Sequence, residues 1–234
     1  MCIRDSSFYG SDFRNYNQYR TKATLRSVGN FCYVFVEDSQ WKRTVTAQAV
    51  RNLIRAFEQR TLSDKNRGIY QIETQAFGQP PNVDNDDRIY ILLLDIPDRF
   101  RLQGEFIGGY FNPIDQTRGR LIHPKLGKPM WSNERDMIYI DTNPLSVGNN
   151  AGFGTVAHEF QHLIHWKHDP NEEIWINEGI SEYAMLLCGY PSIEHLQAFG
   201  QKPNTSLTNW PAEGTNQLPS YGATYLLSLI HISE

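Results

Sequence analysis

Apolar residues in the first three-fifths of the chain fall at alternate positions or in short unbroken runs, whereas later they recur every three or four residues. The first pattern belongs to strands and the second to helices. Residues 22–28 and 31–36 predict two strands paired as a hairpin around Gly29-Asn30, a dipeptide suited to the left-handed conformations of tight turns. Thr44 stands where it could cap a helix whose apolar Val50, Leu53, Ile54 and Phe57 share one face. Residues 69–72 and 88–96 predict further strands, the second an uninterrupted apolar run fit for the centre of a sheet. Pro80-Pro81 and the polar stretch 82–87 separate them. Residues 106–111 and 137–141 complete a mixed sheet of about five or six strands. Helical spacing follows at about 151–167, 176–187, 193–199 and 221–229. Strands first and helices afterwards imply an α+β fold: a β-rich lobe over 7–150 and a mainly helical lobe over 151–227. Residues 201–219, rich in Pro, Asn, Thr and Gly, form a loop of the length that more often rims a site than merely connects.

Composition narrows the partners. With 234 residues, 40% hydrophobic and 21% charged, the chain can build a sizeable core. Its net charge of −4 and scattered Lys and Arg provide no footprint for phosphate backbones, so no nucleic-acid partner is expected. No stretch approaches the roughly 20 apolar residues of a membrane-spanning helix. Residues 1–6 and 228–234 resemble translated sequencing-adapter read-through and are expected to be a non-native leader and tail. A signal peptide is then not observable in this fragment. Cys32 and Cys188 lie in apolar surroundings as expected buried free thiols, and Cys2 falls in the leader.

Chemistry concentrates in His158-Glu159-Phe160-Gln161-His162, an H-E-x-x-H string. Residues four apart lie about 40° apart around a helix, so His158 and His162 project from one face as two imidazole ligands. Phe153, Val156, Phe160, Leu163 and Ile164 occupy the opposite side and can bury against the sheet. Glu159, about 100° round from His158, flanks a metal held there and can take a proton from a water. By chance such a string arises in about one chain in a hundred, so a further ligand is needed. Downstream, Trp175-Ile176-Asn177-Glu178-Gly179-Ile180-Ser181-Glu182-Tyr183 presents Glu178 and Glu182 on one helical face.

H-E-x-x-H paired with W-x-N-E-G-x-x-E-Y resembles the gluzincins, zinc peptidases of thermolysin-like and aminopeptidase-like type, and within them the hyicolysin-like family, which HEFQHLI and Tyr221-Gly222-Ala223-Thr224-Tyr225 bring to mind. The resemblance covers about 155–185 closely. It implies Glu178 as third ligand, Glu182 as the acid behind one histidine, Tyr221 as the donor to a developing oxyanion, a peptide or protein substrate and a secreted or extracytoplasmic setting. Tyr183 and His123 are rival donors. Two imidazoles, one carboxylate and an open position form a catalytic zinc set, with Glu159 as general base. Only fifteen residues separate His162 from Glu178, fewer than in the thermolysin type, and Asp169-Pro170-Asn171 supplies the break between helices.

His168 opens a competing ligand set, since it stands where metzincins place a third histidine. That arrangement needs a glycine turn where this chain has His165, and a continuing helix turns His168 about 80° away from His158. His165 falls on the ligand face one turn too far along, as a polar rim residue. Asp84, Asp86, Asp87 and Asp95 mimic part of a calcium loop, but Ile89 replaces its glycine, so a solvated turn is expected instead. Residues 106–111 could offer an edge strand to an extended peptide. His195 shows no partner and is expected at the surface. An endopeptidase is the leading reading; an aminopeptidase would need groups to grip a free amine, and no G-x-M-E-N-type segment is present. A gluzincin-like fold serving only for binding is the non-enzymatic alternative, opposed by the retention of the whole ligand string.

Overall fold

A computed structural model describes residues 5–103, 106–122, 127–211 and 216–232. In chain order the elements are β1 (Asp5–Asp12), β2 (Asn17–Val28), β3 (Cys32–Glu37), α1 (Ala47–Glu58), α2 (Ile69–Phe77), β4 (Ile89–Leu94), α3 (Phe100–Gln103), β5 (Gly109–Phe111), β6 (Arg120–Ile122), β7 (Pro129–Trp131), β8 (Met137–Asp141), α4 (Asn150–His168), α5 (Ile174–Leu187), α6 (Ile193–Gln201) and α7 (Leu218–Ile232). Six strands form a mixed sheet in the order β1-β2-β3-β4-β8-β5, and β6 pairs with β7 in a separate ribbon. β3, β4 and β8 run parallel, while the outer pairings are antiparallel. The architecture is the expected α+β.

β4 is buried at every position because both faces of the sheet centre are covered, which is why its sequence is an apolar run without alternation. Val34, Ile91, Leu93, Ile138 and Ile140 face one way, towards α1, α2 and the apolar side of α4. Phe35, Tyr90, Leu92, Leu94 and Tyr139 face the other, together with Phe8 of β1 and Ala23 of β2. Cys32 and Cys188 are buried free thiols.

Several expectations shift. Residues 69–72 form the first turn of α2, not a strand. Gly68 N–H donates to Gln71 Oε1 at 2.8 Å and Gln71 Nε2 donates to the Glu58 carbonyl at 2.9 Å, so one side chain fixes the start of the helix. Ile69, Ile72 and Glu73 then bury at helical spacing. α1 is capped by Thr46, whose Oγ1 accepts from Ala49 N–H, whereas the Thr44 hydroxyl donates to Gln40 Oε1. Of residues 106–111 only Gly109–Phe111 pair as a strand. Residues 5 and 6 lie in β1 and 228–232 in α7, placements that do not bear on the expectation of a non-native leader and tail.

A buried polar knot ties the segment after β5 to the sheet. Asp115, within a 3-10 turn, accepts from Tyr139 Oη at 2.6 Å and from Asn133 N–H at 2.7 Å. The Asn133 side chain in turn bonds both the N–H and the carbonyl of Tyr9 in β1. Burial pushes the Asp115 carboxyl up to about 6, against the downward pull of these donors. Because the folded value lies above the unfolded one, the contribution to stability is complete below about pH 4 and is lost as pH rises through about 6. Asp115→Asn is therefore expected to remove this part of the pH dependence, at most about 3 kcal/mol between those limits. Denaturant unfolding of both proteins across pH 4 to 7 measures it, and parallel stability curves would refute the assignment.

Candidate active site

α4 sorts its residues by face. Asn149 caps it, with Oδ1 accepting from Gly152 N–H. Val156, Phe160, Leu163 and Ile164 bury against the sheet, Phe160 meeting the rings of Phe57 and Tyr70 at centroid distances of 5.2 and 5.6 Å. The other face carries His158 and His162, whose rings stand 4.7 Å apart and nearly perpendicular. The helix ends at Asp169, and the chain returns as α5, placing Asn177, Glu178, Ser181 and Glu182 opposite the histidines.

Glu178 Oε2 lies 3.1 Å from His158 Nε2 and 3.5 Å from His162 Nε2. One donor atom from each residue falls within 4.8 Å of the other two, a grouping that could hold a metal ion. The far nitrogens are backed from α5. Glu182 Oε1 sits 3.4 Å from His158 Nδ1, and Asn177 Oδ1 sits 2.9 Å from His162 Nδ1. An Nδ1–H donated to Asn177 leaves the Nε2 lone pair of His162 free to bind a cation. The Ser181 hydroxyl lies 3.1 Å from the same Nδ1 and donates to Gln161 Oε1 at 2.5 Å. Asn177 and Ser181 are four apart on α5, so their helical spacing beside Glu178 was the available signal for this support; sequence reading assigned neither to His162.

The acids differ in environment. Burial raises Glu178, but the charges and hydrogen bonds of His162 and His158 overcome it and hold the carboxyl far below the usual range. Burial raises Glu182 too, and His158 and His195 outweigh it and lower it. For His158 and His162 burial acts downward, and the surrounding carboxylates prevail and raise both. Glu159 is raised, burial being the largest influence.

His158, Glu159, His162 and Glu178 border a cleft of about 360 Å³. Its lining includes Glu159, His158, His162, Glu178 and Tyr221, with Phe13 and Tyr16 from the β1–β2 turn and Tyr110 and Phe111 from β5. β5 is the outermost strand of the sheet and approaches α4 closely: a Cβ on Gly109 would come within 2.8 Å of Glu159 Cγ. Glycine is required there for contact, not for an unusual φ. Gly179 acts similarly on the other wall, since a Cβ would meet Ser228 Oγ at 2.6 Å and the Thr224 carbonyl at 3.0 Å. That closeness lets α7 lie on α5 and bring Tyr221 to the cleft, its ring 6.1 Å from that of His158. Burial first, then the nearby carboxylates, push the Tyr221 hydroxyl well above its ordinary value of 10.0, so it remains a neutral donor.

The other candidates lie elsewhere. His168 is exposed at the end of α4, with Nε2 directed at Gly78. His165 approaches Glu172 at 3.7 Å. Tyr183 is half-buried and does not line the cleft; His123 lies outside the described residues. Asp84 meets Arg135, Asp86 meets Tyr33 and Arg88, Asp87 meets Asn82, and Asp95 meets Arg101. His195 corrects its expectation: far from being partnerless at the surface, it lies 3.0 Å from Glu182 and stacks on Tyr221. Its partners come from α5 and α7, which no local pattern around residue 195 reveals.

No protein-family model matches the chain. The chain is similar to the neutral metalloprotease ShpI of Staphylococcus hyicus, 26% identical over 241 residues that take in 95% of this chain and 50% of that protein. It thus spans about half the length of the curated relative it matches. The likeness runs along nearly the whole chain, which also carries a His-His-Glu grouping that could hold a metal ion.

Proposed function

We propose that the chain carries the catalytic site of a zinc peptidase that cuts within peptide chains, of gluzincin type. The observation that bears most weight is the convergence of His158 Nε2, His162 Nε2 and a Glu178 oxygen beside Glu159 on a cleft bordered by an edge strand. Two neutral imidazoles and one carboxylate suit zinc, and they leave a position towards the cleft. When bound, zinc supplies Lewis acidity, making a water easier to deprotonate and a carbonyl easier to attack.

The chain's own residues do the rest. Glu159 receives the proton of the attacking water on its carboxylate and later hands it to the leaving amine nitrogen. Its buried, raised carboxyl suits both halves of that exchange, because a proton once accepted is held until the nitrogen needs it. Tyr221 donates its hydroxyl hydrogen bond to the carbonyl oxygen as charge develops there. Glu182 and Asn177 fix the orientation of the histidine rings from behind. β5 offers its backbone to an extended substrate strand, which holds the scissile bond against α4.

Internal cleavage is favoured over aminopeptidase action by the state of Asp98, the acid in the cleft outside the His158–Glu182 cluster. Its oxygens accept from the N–H groups of Phe100 and Ile107, each at 2.9 Å, so it is committed to the backbone and not to a free amine. An extracytoplasmic setting is proposed on the resemblance to gluzincins alone. Among the described residues no helix is long and apolar enough to cross a membrane.

A digest of a mixed peptide library tests the reaction: cuts at internal bonds are expected, stepwise loss of N-terminal residues would replace the endopeptidase with an aminopeptidase, and no cutting by zinc-loaded protein would favour a binding role. Glu159→Gln should keep its zinc and its fold while turnover falls by about 100-fold or more, since the amide cannot accept a proton. Near-normal turnover would remove Glu159 from the reaction.

A matched pair separates the two ligand sets. Glu178→Ala should lose tight zinc binding and activity together, while His168→Ala should leave both unchanged; metal analysis after dialysis reads the outcome. The reverse result would transfer the third ligand to His168.

A further inference from the structure

His195 reaches the site from α6, which carries none of the proposed metal ligands or reacting groups. Its Nδ1 lies 3.0 Å from Glu182 Oε2, while the other oxygen of the same carboxylate lies 3.4 Å from His158 Nδ1. Glu182 is thus buried between two imidazoles through ion-pair contacts, neither of which has hydrogen-bond geometry. The flat face of the His195 ring is also used. It stacks on Tyr221 with centroids 5.0 Å apart and planes 27° apart, and Trp210 closes on another side of Tyr221 at 5.1 Å, edge to face. The backbone that carries the ring is fixed as well: a Cβ on Gly222 would run into the His195 carbonyl and come within 2.8 Å of Phe199 Cβ, so α6 and α7 touch at this level.

A partly buried imidazole with one nitrogen on a carboxylate and its face on a phenol has little rotational freedom left. Each of its partners lies beside His158: Glu182 Oε1 is 3.4 Å from Nδ1, and the Tyr221 ring is 6.1 Å from the imidazole and lines the cleft. From this we infer that His195 is a positioning residue serving two ends of the site: its Nδ1 holds Glu182 against His158, and its ring face holds Tyr221 over the cleft. This inference rests on the proposed zinc peptidase and adds to it a residue outside the helices that bear the ligands.

The two roles use different parts of one side chain, so two substitutions separate them. His195→Asn keeps a polar nitrogen near the position of Nδ1 but removes the ring; His195→Phe keeps the ring and removes the nitrogen. Zinc affinity is read by chelator competition on the intact chain, and turnover by peptide hydrolysis at saturating zinc. His195→Phe should weaken zinc binding by up to about 10-fold, the low end of the range for a group that backs a metal ligand directly because His195 acts one contact further out, with kcat at saturating zinc nearly kept. His195→Asn should keep zinc affinity within a few-fold and lower kcat, in the same direction expected of Tyr221→Phe, with little change in KM. Combining His195→Phe with Glu182→Gln should add no further loss of zinc affinity, because the two act through one contact.

Equal effects of both substitutions on both readouts would overturn the division of roles, and unchanged affinity and kcat in both would overturn the inference entirely. Thermal unfolding of each variant separates positioning from loss of fold, and should either variant fail to fold, Tyr221→Phe and Glu182→Gln test the two arms from the partner side. Absence of hydrolysis by the unsubstituted zinc-loaded chain would refute the peptidase reading instead, while the affinity arm would still decide the role of Nδ1.

Discussion

A carboxylate buried between two imidazoles is the constraint from which the helical half of this protein is built. Glu178 cannot be desolvated alone, since an unpaired buried charge costs several kcal/mol even after relaxation. His158 and His162 answer it at 3.1 and 3.5 Å, and each ring then needs a partner for its other nitrogen. Those partners, Glu182 and Asn177, come from the same helix as Glu178. Two helices must therefore face each other in one register. The short Asp169-Pro170-Asn171 break fixes how soon α5 returns, and Gly179 lets α7 lie close behind.

The sheet contributes rigidity and an edge. α4 sits against a layer of fully buried aliphatic side chains, so the histidines project from a helix whose other face cannot shift without opening the core. β5 lies beyond β8 at the end of the same sheet, and Gly109 brings it against Glu159. On the proposed reading, the metal ligands of α4 and the substrate-facing backbone of β5 are thereby referred to one rigid element. Sites held this way lose little to reorganisation when the reaction begins.

Much of this was legible in the sequence, and what was missed has a common physical origin. The faces of α4, with His158 and His162 together on one of them, and the shared face of Glu178 and Glu182 on α5 follow from spacing within single helices, whereas the roles proposed for those two glutamates come from the family resemblance. The run at 89–94 announced a central strand by its lack of alternation. Residues 69–72 misled because GIYQI is short and β-branched, and the helix there is decided by the Gln71 side chain reaching both Gly68 and the end of α1. Thr44 reads as the cap of α1 in the sequence, and only the backbone shows that Thr46 takes that place. His195 was unreadable because both of its partners are distant in sequence and belong to other helices. Local chemistry was visible; contacts that cross three helices were not.

Glu159 and Glu178 show how position, not residue type, divides the work on the proposed reading. Both are glutamates in the same buried cluster, and burial is the largest influence on each. Glu178 lies between the ring nitrogens, where the charges and hydrogen bonds of His162 and His158 exceed the cost of burial and lower its carboxyl; as the proposed ligand it must be ionised. Glu159 projects about 100° round the helix from His158, beside the glycine edge of β5, where the same attractions are weaker than burial and its carboxyl is raised. An acid kept ionised binds a cation well and exchanges protons poorly. One poised higher can take a proton and give it back. Exchanging the two roles would require exchanging the helix positions, so the H-E-x-x-H spacing and the placement of α5 together determine which carboxylate binds and which reacts.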